Sequence, residues 1–158
     1  MIRAAFPGSF DPPTFGHIDI IERSRAIFDE LLVVIAENKQ KQYLFSAEER
    51  RAMMVEMVRK WKNVTVTLCD TLIVDLLKKQ NIKIMVRGVR NVTDFSYESE
   101  LSMMNKALSP GIETIFMMTR PEYLVLRSSS VRELAAFKGD LLALVPPVVA
   151  DALSKKYN

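Results

Sequence analysis

The sequence has 158 residues, 49% hydrophobic and 26% charged, which suits one folded domain over residues 1–158 and excludes a disordered or collagen-like chain. Its 22 basic and 19 acidic residues leave a formal charge of +3, a mild bias that fits small anionic ligands better than a nucleic-acid track. No apolar run reaches the roughly 20 residues that cross a bilayer, and MIRAAFPGSF is too poor in apolar residues for a signal peptide, so a cytoplasmic setting is expected. Cys69 is the only cysteine and His17 the only histidine, which leaves no intrachain disulfide and no metal site built on several thiolates or imidazoles.

In chain order, the apolar runs Ile2 to Phe6, Leu31 to Ala36, Val64 to Leu68, Ile82 to Val86 and Glu113 to Met118 read as strands, LLVVIA most clearly as one buried on both faces. Helical periods lie between them. Ile20, Ile21, Ser24, Ile27 and Phe28 share a face, as do Met53, Met54, Met57, Val58 and Trp61, and then Leu72, Ile73, Leu76 and Leu77. Ser46 and Glu49 form a capping-box pair that starts the second helix. A helix is expected from about Asp94 to Leu108, with Tyr97, Leu101, Met104 and Leu108 on one side and Pro110-Gly111 stopping it. Strands alternating with helices imply right-handed crossovers, hence a single doubly wound α/β domain with a five-stranded parallel sheet. The methionine pairs 53–54, 103–104 and 117–118 read as core filler, Cys69 as a small buried hydrophobe, and Trp61 as core or subunit contact.

Ligands of such sheets sit beyond the carboxyl ends of the strands, where four stretches stand out. The first strand runs into Pro7-Gly8-Ser9-Phe10-Asp11-Pro12-Pro13-Thr14-Phe15-Gly16-His17, combining glycine, a helix N-terminus and an imidazole as an anion site. After the second strand, Glu37 to Gln42 is a polar loop in which Lys41 could hold a phosphate as a point charge. After the fourth, Arg87-Gly88-Val89-Arg90 offers two guanidinium forks, and Asp94 and Glu98, four residues apart on the next helix, could pair with them or orient a ligand. The last, Leu126-Arg127-Ser128-Ser129-Ser130-Val131-Arg132-Glu133, is a serine cluster that leads hydroxyls and backbone N–H groups into an amphipathic helix. The inventory offers many anion contacts and no catalytic dyad or triad.

Together, Gly8-Ser9-Phe10-Asp11-Pro12, Thr14-x-Gly16-His17, Arg87-Gly88-x-Arg90-x3-Asp94-Phe95-x-Tyr97-Glu98 and the serine cluster resemble the bacterial phosphopantetheine adenylyltransferase family, in order and over nearly the whole chain. The resemblance implies transfer of AMP from ATP to 4'-phosphopantetheine with magnesium, giving dephospho-coenzyme A and pyrophosphate in the penultimate step of coenzyme A synthesis. It assigns His17 to the α-phosphate, with Ser9 beside it on substrate phosphate. Lys41 and Arg87 would hold the phosphopantetheine phosphate, and Ile73 and Asn105 would line the pantetheine arm. Phe10, Gly88, Val89, Arg90 and Glu98 fall to ATP, with Tyr123 to Ser129, including Ser128 and Ser129, closing over the nucleotide. A homohexamer is implied as well. Three positions depart from the family pattern: Ser9 for threonine, Phe15 for asparagine, and Arg127 where a serine is expected. Rival readings are a cytidylyltransferase or nicotinamide-mononucleotide adenylyltransferase of the same fold, against which the Arg87-to-Glu98 motif argues, and a non-catalytic nucleotide sensor.

Overall fold

A computed structural model describes residues 1–157. The strands are β1 (Arg3–Gly8), β2 (Glu30–Ala36), β3 (Val64–Cys69), β4 (Ile84–Val89) and β5 (Glu113–Met118), and the helices are α1 (Phe15–Ile27), α2 (Ala47–Val58), α3 (Ile73–Lys79), α4 (Val92–Leu108), α5 (Ser128–Ala136) and α6 (Pro147–Tyr157). All strand pairs are parallel, in the order β3-β2-β1-β4-β5. The chain thus winds from β1 to one edge and then returns to build the other, which makes β1/β4 the switch point where a crevice opens. Among the described residues no helix is long and apolar enough to cross a membrane.

Period-two alternation decides which layer each strand residue joins. In β2, Leu31, Val33 and Ile35 pack with Ile20 and Ile21 of α1 and Met54 and Val58 of α2, whereas Val34 faces Val74 and Leu77 of α3. In β4, Met85 joins the α3 side and Val86 the α1 side. A third cluster joins Phe45 and Met53 to Val131 and Ala135 of α5 and Val149 and Leu153 of α6. Each fully buried Val, Leu or Ile contributes about 1.5–3 kcal/mol.

Local signals account for most helix starts. Glu49 N–H donates to Ser46 Oγ at 3.2 Å and Ser46 N–H to Glu49 Oε2 at 2.7 Å, closing the expected capping box. The Asn91 side chain accepts from Asp94 N–H at 2.9 Å, so α4 begins two residues earlier than expected. The first strand runs on to Gly8 and the fourth from Ile84 to Val89, so Arg87 and Gly88 are strand residues and not the start of a loop. Trp61 is buried but lies past the end of α2, with the cations of Arg25 and Lys60 over its ring. Helix α6 had no counterpart in the sequence reading.

The methionine expectation holds only in part. Met53, Met54 and Met117 are buried, but Met103, Met104 and Met118 are exposed. Helix α4 buries none of its residues fully: Asp94, Glu98 and Asn105 are half-buried, and of the expected apolar stripe only Leu101 is half-buried with them. Tyr97 and Leu108 of that stripe are exposed as well.

Candidate active site

At the switch point β1 and β4 pair only at Ala4–Ile84 and Ala5–Met85; beyond that the strands part, and a cleft of about 570 Å³ opens above their carboxyl ends. A side chain spans the gap: Arg87 Nη1 donates to the Pro7 carbonyl at 2.6 Å. The alternation that puts Met85 on the α3 side carries Arg87 to the same side, where α4 presents Glu98, and the guanidinium meets that carboxylate in two 2.7 Å hydrogen bonds. One helical turn earlier, Asp94 receives Arg90 through Nε at 2.7 Å and Nη2 at 3.2 Å. The four-residue spacing of Asp94 and Glu98 therefore aligns two arginines by fork-on-fork pairing. Arg87 uses three of its five N–H groups on protein and keeps two for a ligand. On the other side of β4, a Cβ at Gly88 would stand 3.2 Å from Ile20, so glycine lets α1 pack close to the strand.

The loop after β1 is shaped around a ring. A Cβ on Gly8 would lie 2.8 Å from Cζ of Phe10, so only glycine leaves room for that side chain, which folds back under the loop at φ 49°. Phe10 in turn meets the His17 ring edge-on at 4.9 Å. His17 stands third in α1 and closes the helix start in the way a glutamate would: Thr14 N–H donates to its Nδ1 at 3.0 Å, with Thr14 Oγ1 also at 3.0 Å. With Nδ1 accepting, a neutral imidazole carries its proton on Nε2. Desolvation by the cleft wall, followed by repulsion from Arg90 and Arg87, lowers the His17 pKa from 6.5 to about 4. At neutral pH the ring is thus an uncharged, oriented donor.

The buried Asp11 ties three segments together. Its carboxylate accepts from Leu44 N–H at 2.9 Å and Phe45 N–H at 3.0 Å, and Arg132 of α5 donates to both its carbonyl and its carboxylate. Ser128 Oγ donates to Pro12 O at 2.8 Å, which seats the start of α5 on the same loop.

The structure brings most of the expected residues together. Ser9, Phe10, His17, Lys41, Arg87, Gly88, Arg90, Glu98, Tyr123, Ser128 and Ser129 line the cleft, and Arg127 lies there too, capping α5. A second cavity of about 740 Å³ shares Ser9, Lys41, Arg87 and Glu98 with the first and extends past Ile73, Leu101 and Asn105. Val89 is the exception: it is 1% exposed and lines neither cavity, because at the end of β4 it packs inward while its carbonyl accepts Thr119 N–H at 2.9 Å. Phe15 serves the loop through its backbone, its N–H donating to Leu144 O at 3.1 Å. Sequence reasoning missed Arg132, whose signal was its place one helical turn after Ser128, and Tyr43, which borders both cavities.

The cleft holds five cationic side chains, Lys41, Arg87, Arg90, Arg127 and Arg132, against the carboxylates of Asp11, Asp94 and Glu98, each already paired with an arginine. Such a surface binds polyanions. Among the described residues no three His, Cys, Asp or Glu side chains gather in a way that could hold a metal ion.

The cytidylyltransferase-like family model matches residues 5–134. The chain is 46% identical to the phosphopantetheine adenylyltransferase of Aquifex aeolicus over 99% of its own length and 96% of the relative's, and 44% identical to that of Clostridium tetani over 98% and 97%. A solved structure from Vibrio parahaemolyticus, named for nicotinate-nucleotide adenylyltransferase, superposes with a TM-score of 0.73 at 19% identity over 99% of this chain and 96% of that one, a likeness of fold alone. A parallel sheet split at its switch point, a histidine held neutral over a polycationic cleft and identity of this extent place the chain in the phosphopantetheine adenylyltransferase family, among the cytidylyltransferase-like proteins.

Proposed function

We propose that the chain transfers AMP from ATP to 4'-phosphopantetheine, releasing pyrophosphate and forming dephospho-coenzyme A. The observation that carries this is the junction of the two cavities: a polycationic cleft suited to a nucleotide meets a second cavity suited to a flexible arm at Ser9, Lys41 and Arg87. A phosphate at the end of such an arm would arrive there beside the His17 ring. Relatives of 44–46% identity bear the name of this activity.

In this reading an oxygen of the acceptor phosphate attacks the α-phosphorus of ATP in line; that P–O bond forms as the bond to the β-phosphate bridging oxygen breaks, and the electron pair leaves with pyrophosphate. The attacking group is already an anion, so no side chain needs to act as nucleophile or general base. Catalysis comes from positioning and charge stabilisation. Lys41 and the two free N–H groups of Arg87 would orient the acceptor phosphate. His17 Nε2–H would donate to the α-phosphate as charge builds there, and Ser128, Ser129 and Arg132 at the start of α5 would hold the β- and γ-phosphates. Gly88, Arg90 and Tyr123 would border the nucleotide.

The cleft carboxylates are committed to arginines, so magnesium would enter on the triphosphate oxygens, as it does where substrate phosphates supply most ligands. We also propose a cytoplasmic homohexamer. Val92, Phe95, Met103, Met104 and Leu108 of α4, with Met118 on the same side of the edge strand β5, are exposed apolar residues of the kind that a second copy would cover.

The test is incubation with ATP, magnesium and 4'-phosphopantetheine, following both products, with CTP and nicotinamide mononucleotide as alternative substrates. Equal amounts of dephospho-coenzyme A and pyrophosphate are expected, with no reaction of the alternatives. Turnover of an alternative in place of phosphopantetheine would overturn the acceptor assignment.

A further inference from the structure

Arg50 of α2 is fully buried, and among the described residues no carboxylate pairs with it. A buried charge without a counter-ion is costly. What surrounds it is polar and neutral. Nη1 donates to Ser9 O at 2.7 Å and to Ala36 O at 3.1 Å, Nε donates to Ser46 O at 3.3 Å, and the Tyr43 ring lies over the guanidinium at 4.1 Å. Nη2 has no partner. A leucine or methionine at this helix position would fill the space without that cost, so the charge invites an explanation outside the core.

Its partners supply one. Ser9 lies on the loop after β1, and Ala36 ends β2, from which the Lys41 loop departs. Tyr43 closes that loop, accepting Asn38 N–H on its hydroxyl at 2.9 Å, while Lys41 N–H donates to Asn38 O at 2.9 Å. Arg50 therefore clamps together the two loops that carry Ser9 and Lys41, at the junction of the two cavities. We propose that Arg50 is a positioning residue for the acceptor's phosphate: it fixes the Ser9 and Lys41 loops against each other, and its unpaired charge beneath them favours a phosphomonoester dianion above. This rests on the acceptor reading given above. The missing counter-ion is then the ligand itself.

The test is calorimetric binding of 4'-phosphopantetheine and of pantetheine, which lacks the phosphate, to the wild-type protein, Arg50→Met and Arg50→Lys. The wild type is expected to prefer the phosphorylated compound, and Arg50→Met to lose about tenfold or more of that preference, the size of one charge-assisted contribution. Pantetheine and ATP affinities are expected to stay within about threefold, and Arg50→Lys to recover part of the preference, since it restores charge without the bridging geometry. Should Arg50→Met fail to fold, Tyr43→Leu, which removes the ring and the tie to Asn38, is expected to shift the same ratio by less. Equal weakening of both compounds, or of ATP as much as phosphopantetheine, would make Arg50 a structural residue and overturn the proposal. A wild-type protein that prefers the phosphorylated compound yet makes no product would refute the transfer reaction while leaving the Arg50 comparison intact; one that binds both compounds equally would overturn both.

Discussion

The two flanks of the sheet are finished in opposite ways. On the β3 side α2 packs over the strand, burying Val64, Met54 and Val58 in one cluster. On the β5 side α4 turns Asp94 and Glu98 inward, where they aim Arg90 and Arg87, with Leu101 half-buried beside them and Phe95 edge-on to Phe116 of β5, while Val92, Met103, Met104 and Leu108 are exposed. One flank is completed within the chain; the other holds the arginine–carboxylate pairs of the cleft and leaves apolar side chains exposed. With the arginine partners on the inward face of α4, most of its large apolar residues are left exposed.

The largest break lies at the cleft. His17→Ala is expected to reduce turnover about 10²–10³-fold, the scale of removing one preorganised donor to a developing charge, while the assembly by sedimentation and the ATP affinity stay close to wild type. Turnover within a few fold of wild type would remove His17 from the role assigned to it. On the opposite flank, Met104→Glu places a charge in the exposed apolar stripe and is expected to reduce the sedimenting mass to smaller species with the Arg87–Glu98 pair intact; an unchanged mass would show that α4 is not a subunit contact. Smaller still is Gly8→Ala. The added Cβ would sit 2.8 Å from the Phe10 ring, and the overpacking is expected to cost about 1–3 kcal/mol, read as a lower thermal midpoint together with lower turnover as the ring supporting His17 shifts.

The finest test is the titration of the ring itself. His17 is the only histidine, so one imidazole resonance reports it without assignment. It is expected to stay neutral down to about pH 5 and to titrate near its lowered pKa of about 4; a midpoint near 6.5 would contradict the desolvated, arginine-flanked site. The sign for stability follows from linkage. The unfolded chain takes up this proton near 6.5 and the folded one only near 4, so His17 makes the fold less stable as pH drops through that window and contributes no change above it.

The five strands were legible because uninterrupted apolar runs admit few other readings, and Glu113–Met118 coincides with its expected limits. The Arg87-to-Glu98 motif was legible as paired charges, but whether the carboxylates face arginine or ligand depends on the turn at which α4 starts, which Asn91 sets. Arg50 was hidden by its type. It lies three and four residues before Met53 and Met54, on the same buried face, yet an arginine at a helix position reads as solvent-facing until its carbonyl partners, distant in sequence, are known. Met103 and Met104 failed for the converse reason: their spacing is that of a core face, and only the tertiary placement of α4 shows that no core lies beneath them. Helix α6 escaped because its apolar period is short and opens on consecutive prolines, although Lys156 fastens its end to Glu49 of α2 at 2.9 Å and helps hold that carboxyl below its ordinary pKa.

The parting of β1 and β4 beyond Ala5 and Met85 has a consequence for the time scale on which this sheet opens. Central strands usually protect their amides until the whole molecule unfolds, but here the carboxyl half of the innermost pair lacks its ladder, and Pro7 brings no N–H to it. Its closure depends on the side chain of Arg87. In deuterated water the centre of the molecule is therefore expected to exchange in two classes, with Ala5 and Val86, the last amides of the paired part, slow and the β1-facing amide of Gly88 much faster, so that the seam between the two halves of the fold breathes independently of the halves themselves.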